Sequence, residues 1–199
     1  MSRKKEVIMK FYRPLPLKKE IKIPSRDFIV SKADSKGNII YTNETFSKIT
    51  GYSQDEVMGA PHNILRHPDM PSIIFFLMWQ RIQSGKNIKT LVKNLTKSGK
   101  FYWVSTDFEM QRDEKSQKNT YIAFRRSASD KAIETIKPLY KKLLRIEKIE
   151  GKEASLVYLQ RYLDERQTTF DEYMDSILKP KNFIYIIFNT MKNTFAKAA

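Results

Sequence analysis

Pro61-His62-Asn63-Ile64-Leu65-Arg66-His67-Pro68-Asp69-Met70-Pro71 holds three prolines, an arginine, an aspartate and both histidines of the chain. Proline lacks an amide proton and its ring collides with the carbonyl four residues back, so this stretch cannot form a regular helix. Apolar periodic sequence resumes on either side of it. Downstream, Ser72 to Ser84 reads as a helix with Ile73, Phe76, Leu77 and Gln80 along one face and Gly85 as its stop. Three strand-like runs follow: Ile88 to Leu95, Phe101 to Met110 and Thr120 to Arg125. A Lys97-Ser98-Gly99-Lys100 turn and a polar loop, Arg112 to Asn119, separate them. Upstream, Ser53 and Glu56 form a capping box for a short helix ended by Gly59. Asn43 caps a second helix, Glu44 to Thr50, stopped by Gly51. Before these, Phe28-Ile29-Val30 and Ile39-Ile40-Tyr41 flank a turn, Asp34 to Asn38, and read as a β-hairpin. The order predicts an α+β domain: a five-stranded antiparallel sheet with short helices gathered on one face.

Alternation along the strands sorts their side chains. Tyr102, Val104, Thr106, Phe108 and Met110 are assigned to the helix-covered cleft, and Trp103, Ser105, Asp107 and Glu109 to the outer face. Trp103 is then a candidate interface residue. Val92 and Asn94 share a face; if it is the cleft face, the buried Asn94 amide must find a hydrogen-bonding partner, protein or ligand. Residues 1–24 mix lysine with proline and show no sustained period, so they read as a basic arm that orders on a partner. Residues 25–128 form the domain. Residues 129–199 read as a helical extension for partner docking, with stripes at Ala132, Ile133, Ile136, Leu139, Tyr140, Leu143 and Leu144 and at Leu156, Leu159, Tyr162 and Leu163. Whether it is a hairpin on the domain or a separate bundle is open, and Pro138 should kink or restart it. The apolar run in 182–195 is too short to span a bilayer; it reads as a docking segment or a peripheral membrane contact.

Composition narrows the function classes. The 199 residues carry a formal charge of +15 and no cysteine. Disulfides, thiolate metal sites, cysteine nucleophiles and a flavin–cysteine photoadduct are therefore excluded. The excess charge is spread as +6, +6 and +3 over 1–24, 25–128 and 129–199. No helix-turn-helix or single-strand-binding aromatic platform accompanies it, so no nucleic-acid partner is expected. No 18-residue uncharged apolar run exists, and no apolar segment follows the lysine-rich start. The expectation is a cytoplasmic protein, recruited to the inner membrane if the basic arm or the tail meets anionic lipid. No Gly-rich phosphate loop, Gly-x-Ser-x-Gly elbow or kinase motif is present, and two histidines leave little for acid–base work, so an enzyme is not expected.

Asn43-Glu44-Thr45-Phe46, Thr50-Gly51-Tyr52-Ser53, the Pro61 to Pro71 run and Met78-Trp79 together resemble a PAS domain. The His/Arg/Pro run, the tryptophan eight residues after it, and Val92-Lys93-Asn94 ahead of Tyr102-Trp103-Val104 look like the FAD-binding PAS domain of bacterial aerotaxis transducers. The resemblance covers about residues 25 to 128. It implies a redox sensor that holds FAD non-covalently and signals to a chemotaxis receptor. Nothing in residues 129–199 resembles the transducers' membrane anchor, linker and kinase-control domain, so none is expected here. It therefore resembles a split energy-taxis system, in which the partner is a separate membrane-bound methyl-accepting chemotaxis receptor.

Carried over by matching position, the resemblance implicates His62, Arg66, His67, Asp69 and Trp79 in the flavin site, with Asn43 and Asn94 as further candidates. Arg66 and His67 would meet phosphate or ring oxygens. Asp69 would orient one of them or meet a ribose hydroxyl, and Trp79 would flank the ring. Each has a bland alternative: helix capping for Asn43, loop hydrogen bonding for the histidines, core packing for Trp79. A metal at His62, His67 and Asp69 is not expected, given their irregular spacing and the adjacent Arg66. Two histidines in one cleft leave haem open as an alternative ligand. A ligand-free interaction adaptor is the other alternative. A homodimer would form through the sheet face or the arm.

Overall fold

The computed structural model describes residues 13–112 and 118–178. β1 (Ile29–Ala33) and β2 (Ile39–Thr42) form the expected hairpin. Asp34 builds its turn, its carboxylate accepting the Lys36 and Asn38 amide protons at 2.9 and 2.8 Å. The two capped helices follow as α1 (Glu44–Thr50) and α2 (Gln54–Val57), with the Ser53/Glu56 box complete. The proline-rich run contains only one 3-10 turn, His62–Leu65. α3 (Ser72–Gln83), β3 (Ile88–Leu95), β4 (Phe101–Arg112) and β5 (Asn119–Ser127) complete the domain.

All pairings are antiparallel in the order β2-β1-β5-β4-β3, so the first hairpin joins the last strand. That junction sets Ser31 opposite Ala123. The β4–β5 register sets Thr106 opposite Arg125 and Phe108 opposite Ala123. Helices and the proline-rich run cover the cleft face, and the main core fills the space between, with Phe46, Ile74 and Tyr102 fully buried. Burying each such apolar side chain contributes about 1.5–3 kcal/mol.

Three expectations are corrected. α3 does not bury Phe76 and Gln80: it turns Ile73, Ile74, Met78 and Ile82 inward and leaves Phe76 exposed. Ser72 to Trp79 is apolar nearly all round, so periodicity alone could not choose its buried face. Trp103 is not an open interface residue. It is 7% exposed and stacks on Tyr140 of the extension, ring centroids 6.4 Å apart. The arm is in part docked on its own domain: Leu17 and Ile21 donate backbone hydrogen bonds to Gly99 and Phe101, and Ile23 is buried. Pairing through backbone alone leaves no side-chain period to read.

The extension forms α4 (Asp130–Ile149), α5 (Lys152–Asp164) and α6 (Phe170–Leu178), and it packs along the β3 side of the domain. The Tyr140 hydroxyl donates to the Leu91 carbonyl at 2.8 Å, filling an edge-strand acceptor. α4 runs on through Pro138, which lies on its exposed face, so the carbonyl deprived of an amide partner meets water. No helix among the described residues is long and apolar enough to cross a membrane. The apolar tail, 182–195, lies outside the described residues.

Candidate functional site

A cavity of about 320 Å³ opens between α3, the proline-rich run and the sheet. That volume lies at the small end of the range for small-molecule sites. Trp79, Phe75, Met78 and Ile82 of α3 form one wall, and Val92, Phe108 and Ala123 of the sheet form the other. The Trp79 indole is held edge-on to Tyr121, centroids 5.3 Å apart. It also lies so close to Gly37 that a β-carbon there would stand 2.8 Å from its ring. Gly37, at φ +85°, is therefore required both by its turn and by the indole.

Arg125 dominates the polar part of the cavity. It is 1% exposed, on β5. One guanidinium nitrogen donates to Ser31 Oγ at 3.0 Å and to the Ala123 carbonyl at 3.4 Å; the other donates to His62 Nε2 at 2.8 Å. Arginine only donates, so His62 Nε2 accepts, and the ring proton is on Nδ1. Ser31 Oγ lies 2.8 Å from the same nitrogen and supplies it a second donor. Burial, helped by the Arg125 charge, pushes the His62 pKa down to about 3. Burial lowers that of Arg125 to about 10, which leaves it charged at neutral pH. Among the described residues no carboxylate lines the cavity, whereas Lys36, Arg66 and Arg125 do. A buried cation with only neutral partners is unfavourable by several kcal/mol, and an acceptor-rich or anionic ligand offsets that cost.

The remaining candidates divide. Arg66 is at the cavity wall, 4.8 Å over the Phe75 ring, and donates to the Met70 carbonyl at 2.9 Å. Burial lowers its pKa. Asn94 is buried and lines the cavity; the adjacent Tyr102 hydroxyl is buried and lacks a hydrogen bond of ordinary geometry. Burial raises the Tyr102 pKa to about 12. His62 and Trp79 line the cavity as well.

His67, Asp69 and Asn43 do not line it. The backbone explains the first two. Arg66 pairs with Asn94 in an antiparallel bridge, and the His67 amide donates to the Lys93 carbonyl, so this piece of chain adds a short strand to the β3 edge. Alternation then sends Arg66 and Asn94 inward and His67 and Lys93 outward. His67 Nδ1 accepts the Asp69 amide proton at 3.0 Å, its ring meets Phe101 edge-on, and Asp69 binds Lys93 Nζ at 2.6 Å. Burial first, then Lys93, pushes the His67 pKa down to about 4. Asn43 uses its whole amide locally: Oδ1 accepts from the Phe46 and Val30 amides at 3.0 Å each, and Nδ2 donates to the Phe28 carbonyl at 2.8 Å. It ties α1 to β1. Arg125 and Ser31, with Lys36 and Phe75, are among the site residues that the sequence reading missed. The available signal was an arginine at the inward position of a strand, in phase with Tyr121 and Ala123.

Residues 39–125 match the family model described as the PAS fold. The chain is 38% identical over 116 residues to the aerotaxis receptor of Escherichia coli (strain K12), covering 58% of this chain and 22% of that protein. It is 31% identical over 81 residues to the biofilm dispersion protein BdlA of Pseudomonas aeruginosa, covering 40% of this chain and 19% of that one. The bacterioopsin transcriptional activator of Halobacterium salinarum is 30% identical over 103 residues, 52% of this chain and 15% of its own. The chain thus spans about a fifth of the length of these relatives. Among solved structures, a PAS domain from Colwellia psychrerythraea superposes with a TM-score of 0.46 at 21% identity, over 50% of this chain and 85% of that one. From the strand order, the helices over one face of the sheet and the family match, this chain carries a PAS domain, similar in sequence to the aerotaxis receptor.

Proposed function

We propose that this protein is a redox or energy-taxis sensor that holds FAD non-covalently in the PAS cavity and signals to a separate membrane-bound methyl-accepting receptor. One observation carries the ligand class: a cavity with aromatic and apolar walls, lined among the described residues by three cations and no carboxylate, with a buried guanidinium at its base. A flavin presents a flat apolar ring system, an amide-like acceptor edge and a phosphate tail, and the residues present fit each part. Phe75, Met78, Trp79 and Val92 would enclose the ring. Asn94 and Arg125 would meet its polar edge, with the buried Tyr102 hydroxyl next to Asn94. Arg66 and Lys36 would meet phosphate, the arginine through its planar donor fork. When bound, the flavin supplies a redox couple whose reduced ring carries more negative charge. Arg125 favours that charge in a low-dielectric site, and neutral His62 leaves the cation unopposed. An amide such as Asn94 can present either its donor or its acceptor, so it can follow a change of protonation.

Haem fits these residues less well. His67 faces away from the cavity, and His62 Nε2, the nitrogen an iron would need, already accepts from Arg125. The likeness to the relative named for aerotaxis supports a signalling role, exercised in the cytoplasm beside the receptor. The purified protein should show visible flavin absorption that bleaches with dithionite, and heating should release FAD. A sharp Soret band would replace flavin by haem, and a colourless folded protein that takes up no added FAD would leave an adaptor.

A further inference from the structure

Glu147, in the last turn of α4, reaches the first turn of α3. Its two carboxylate oxygens accept the Ser72 and Ile73 amide protons at 2.8 Å each. α3 has no cap of its own: Pro71 stands at the capping position without a side-chain acceptor, and Ser72 Oγ is buried without a partner. The first amides of a helix need an acceptor, and a carboxylate there also complements the helix dipole. A residue 75 positions away in sequence supplies it. The same carboxylate acts electrostatically on Arg66 at the cavity wall. At the other end of α3, Arg81 pairs with Asp171 of α6. Three of the side chains that wall the cavity, Phe75, Met78 and Trp79, lie between these two attachments, and Ile82 follows directly after the second.

We propose that Glu147 is a positioning residue that couples the C-terminal helical extension to the cavity, by capping α3 across the tertiary structure. Displacing α4 uncaps the wall helix, and ordering the wall helix strengthens the hold on α4, because coupling between two sites is reciprocal. The extension is then the first element to respond to the cavity, ahead of the outer sheet face. This does not depend on the occupant being FAD.

Amide hydrogen exchange on the full chain without added cofactor tests it. Glu147→Ala should speed exchange at Ser72 and Ile73 about tenfold, the size of a lost cap, and leave β5 amides unchanged. Glu147→Gln, which keeps the volume and one acceptor, should fall between; if the alanine variant does not fold, the glutamine variant decides. Exchange in α3 within twofold of the parent in both variants overturns the proposal. Adding FAD to the parent should slow exchange in α4 from Leu143 to Lys148 as well as in α3, and less so in Glu147→Gln. Bound FAD that leaves α4 unchanged overturns the coupling, whereas FAD that does not bind overturns only the flavin reading.

Discussion

His62 and His67 are five residues apart in one proline-rich segment and occupy opposite settings. His62 lies on the cavity wall, neutral, accepting from a buried arginine. His67 is buried and turned to the other side of its short strand, where it touches Phe101, Asp69 and Lys93. A charged cavity and an ion-paired edge are thus built from one stretch of sequence. What separates them is the single backbone bridge between Arg66 and Asn94, which sets the phase of the alternation.

The largest expected effect breaks the cavity side. Arg125→Met removes the buried cation but keeps much of its volume, so FAD affinity should fall by about 30- to 150-fold, the worth of a charge-assisted contact of about 2–3 kcal/mol. Thermal stability should hold or rise, because the variant no longer buries a charge without a carboxylate. Isothermal titration and a melting curve measure both; undiminished affinity would remove Arg125 from the site.

The next effect uses protons. An unfolded imidazole titrates near 6.5, whereas His62 in the fold titrates near 3. Below pH 6.5 the unfolded chain therefore binds more protons, and the stability that neutral His62 contributes is lost as pH falls from about 6.5 towards 3. The slope is at most about 1.4 kcal/mol per pH unit. His67 adds a smaller loss in the same direction between about 6.5 and 4, because Asp69 opposes its depression. Urea midpoints at pH 7 and pH 5 should differ less in His62→Gln than in the parent. An equal difference would show that His62 is not held neutral.

A third variant acts through packing. Gly37→Ala must adopt φ +85° and drive its methyl into the Trp79 ring, for a loss of about 1–3 kcal/mol in denaturant unfolding and a shift in tryptophan emission. Unchanged emission would mean that the indole is not held there. The smallest effect belongs to the outer side. Asp69 is 63% exposed, so Asp69→Asn should cost no more than about 1 kcal/mol and leave FAD affinity within threefold of the parent. A large loss of affinity would return Asp69 to the site and end the division drawn between the two histidines.

The elements were legible because their signals are local. Asn43, Ser53 and Glu56 cap where capping chemistry places them, Asp34 and Gly37 turn the first hairpin, and Phe108 of β4 reaches the cavity as read. The site was half legible. His62, Arg66, Trp79 and Asn94 come together on the cavity, but His67 and Asp69 do not, and Asn43 is consumed by α1. Arg125 escaped notice because a strand arginine reads as surface until its register is known.

By itself the sequence determined the order and type of the elements and the fold class, since caps, turns and periodicity depend on residues within a few positions of one another. The tertiary structure alone decided the facing of every functional side chain. β1 had to pair with β5 for Ser31 to meet Arg125, residue 66 with residue 94 for His67 to turn outward, and α4 had to reach α3 for Glu147 to cap it. Those pairings join residues 28 to 94 positions apart, where a single slip of register reverses every face and no local pattern records the choice.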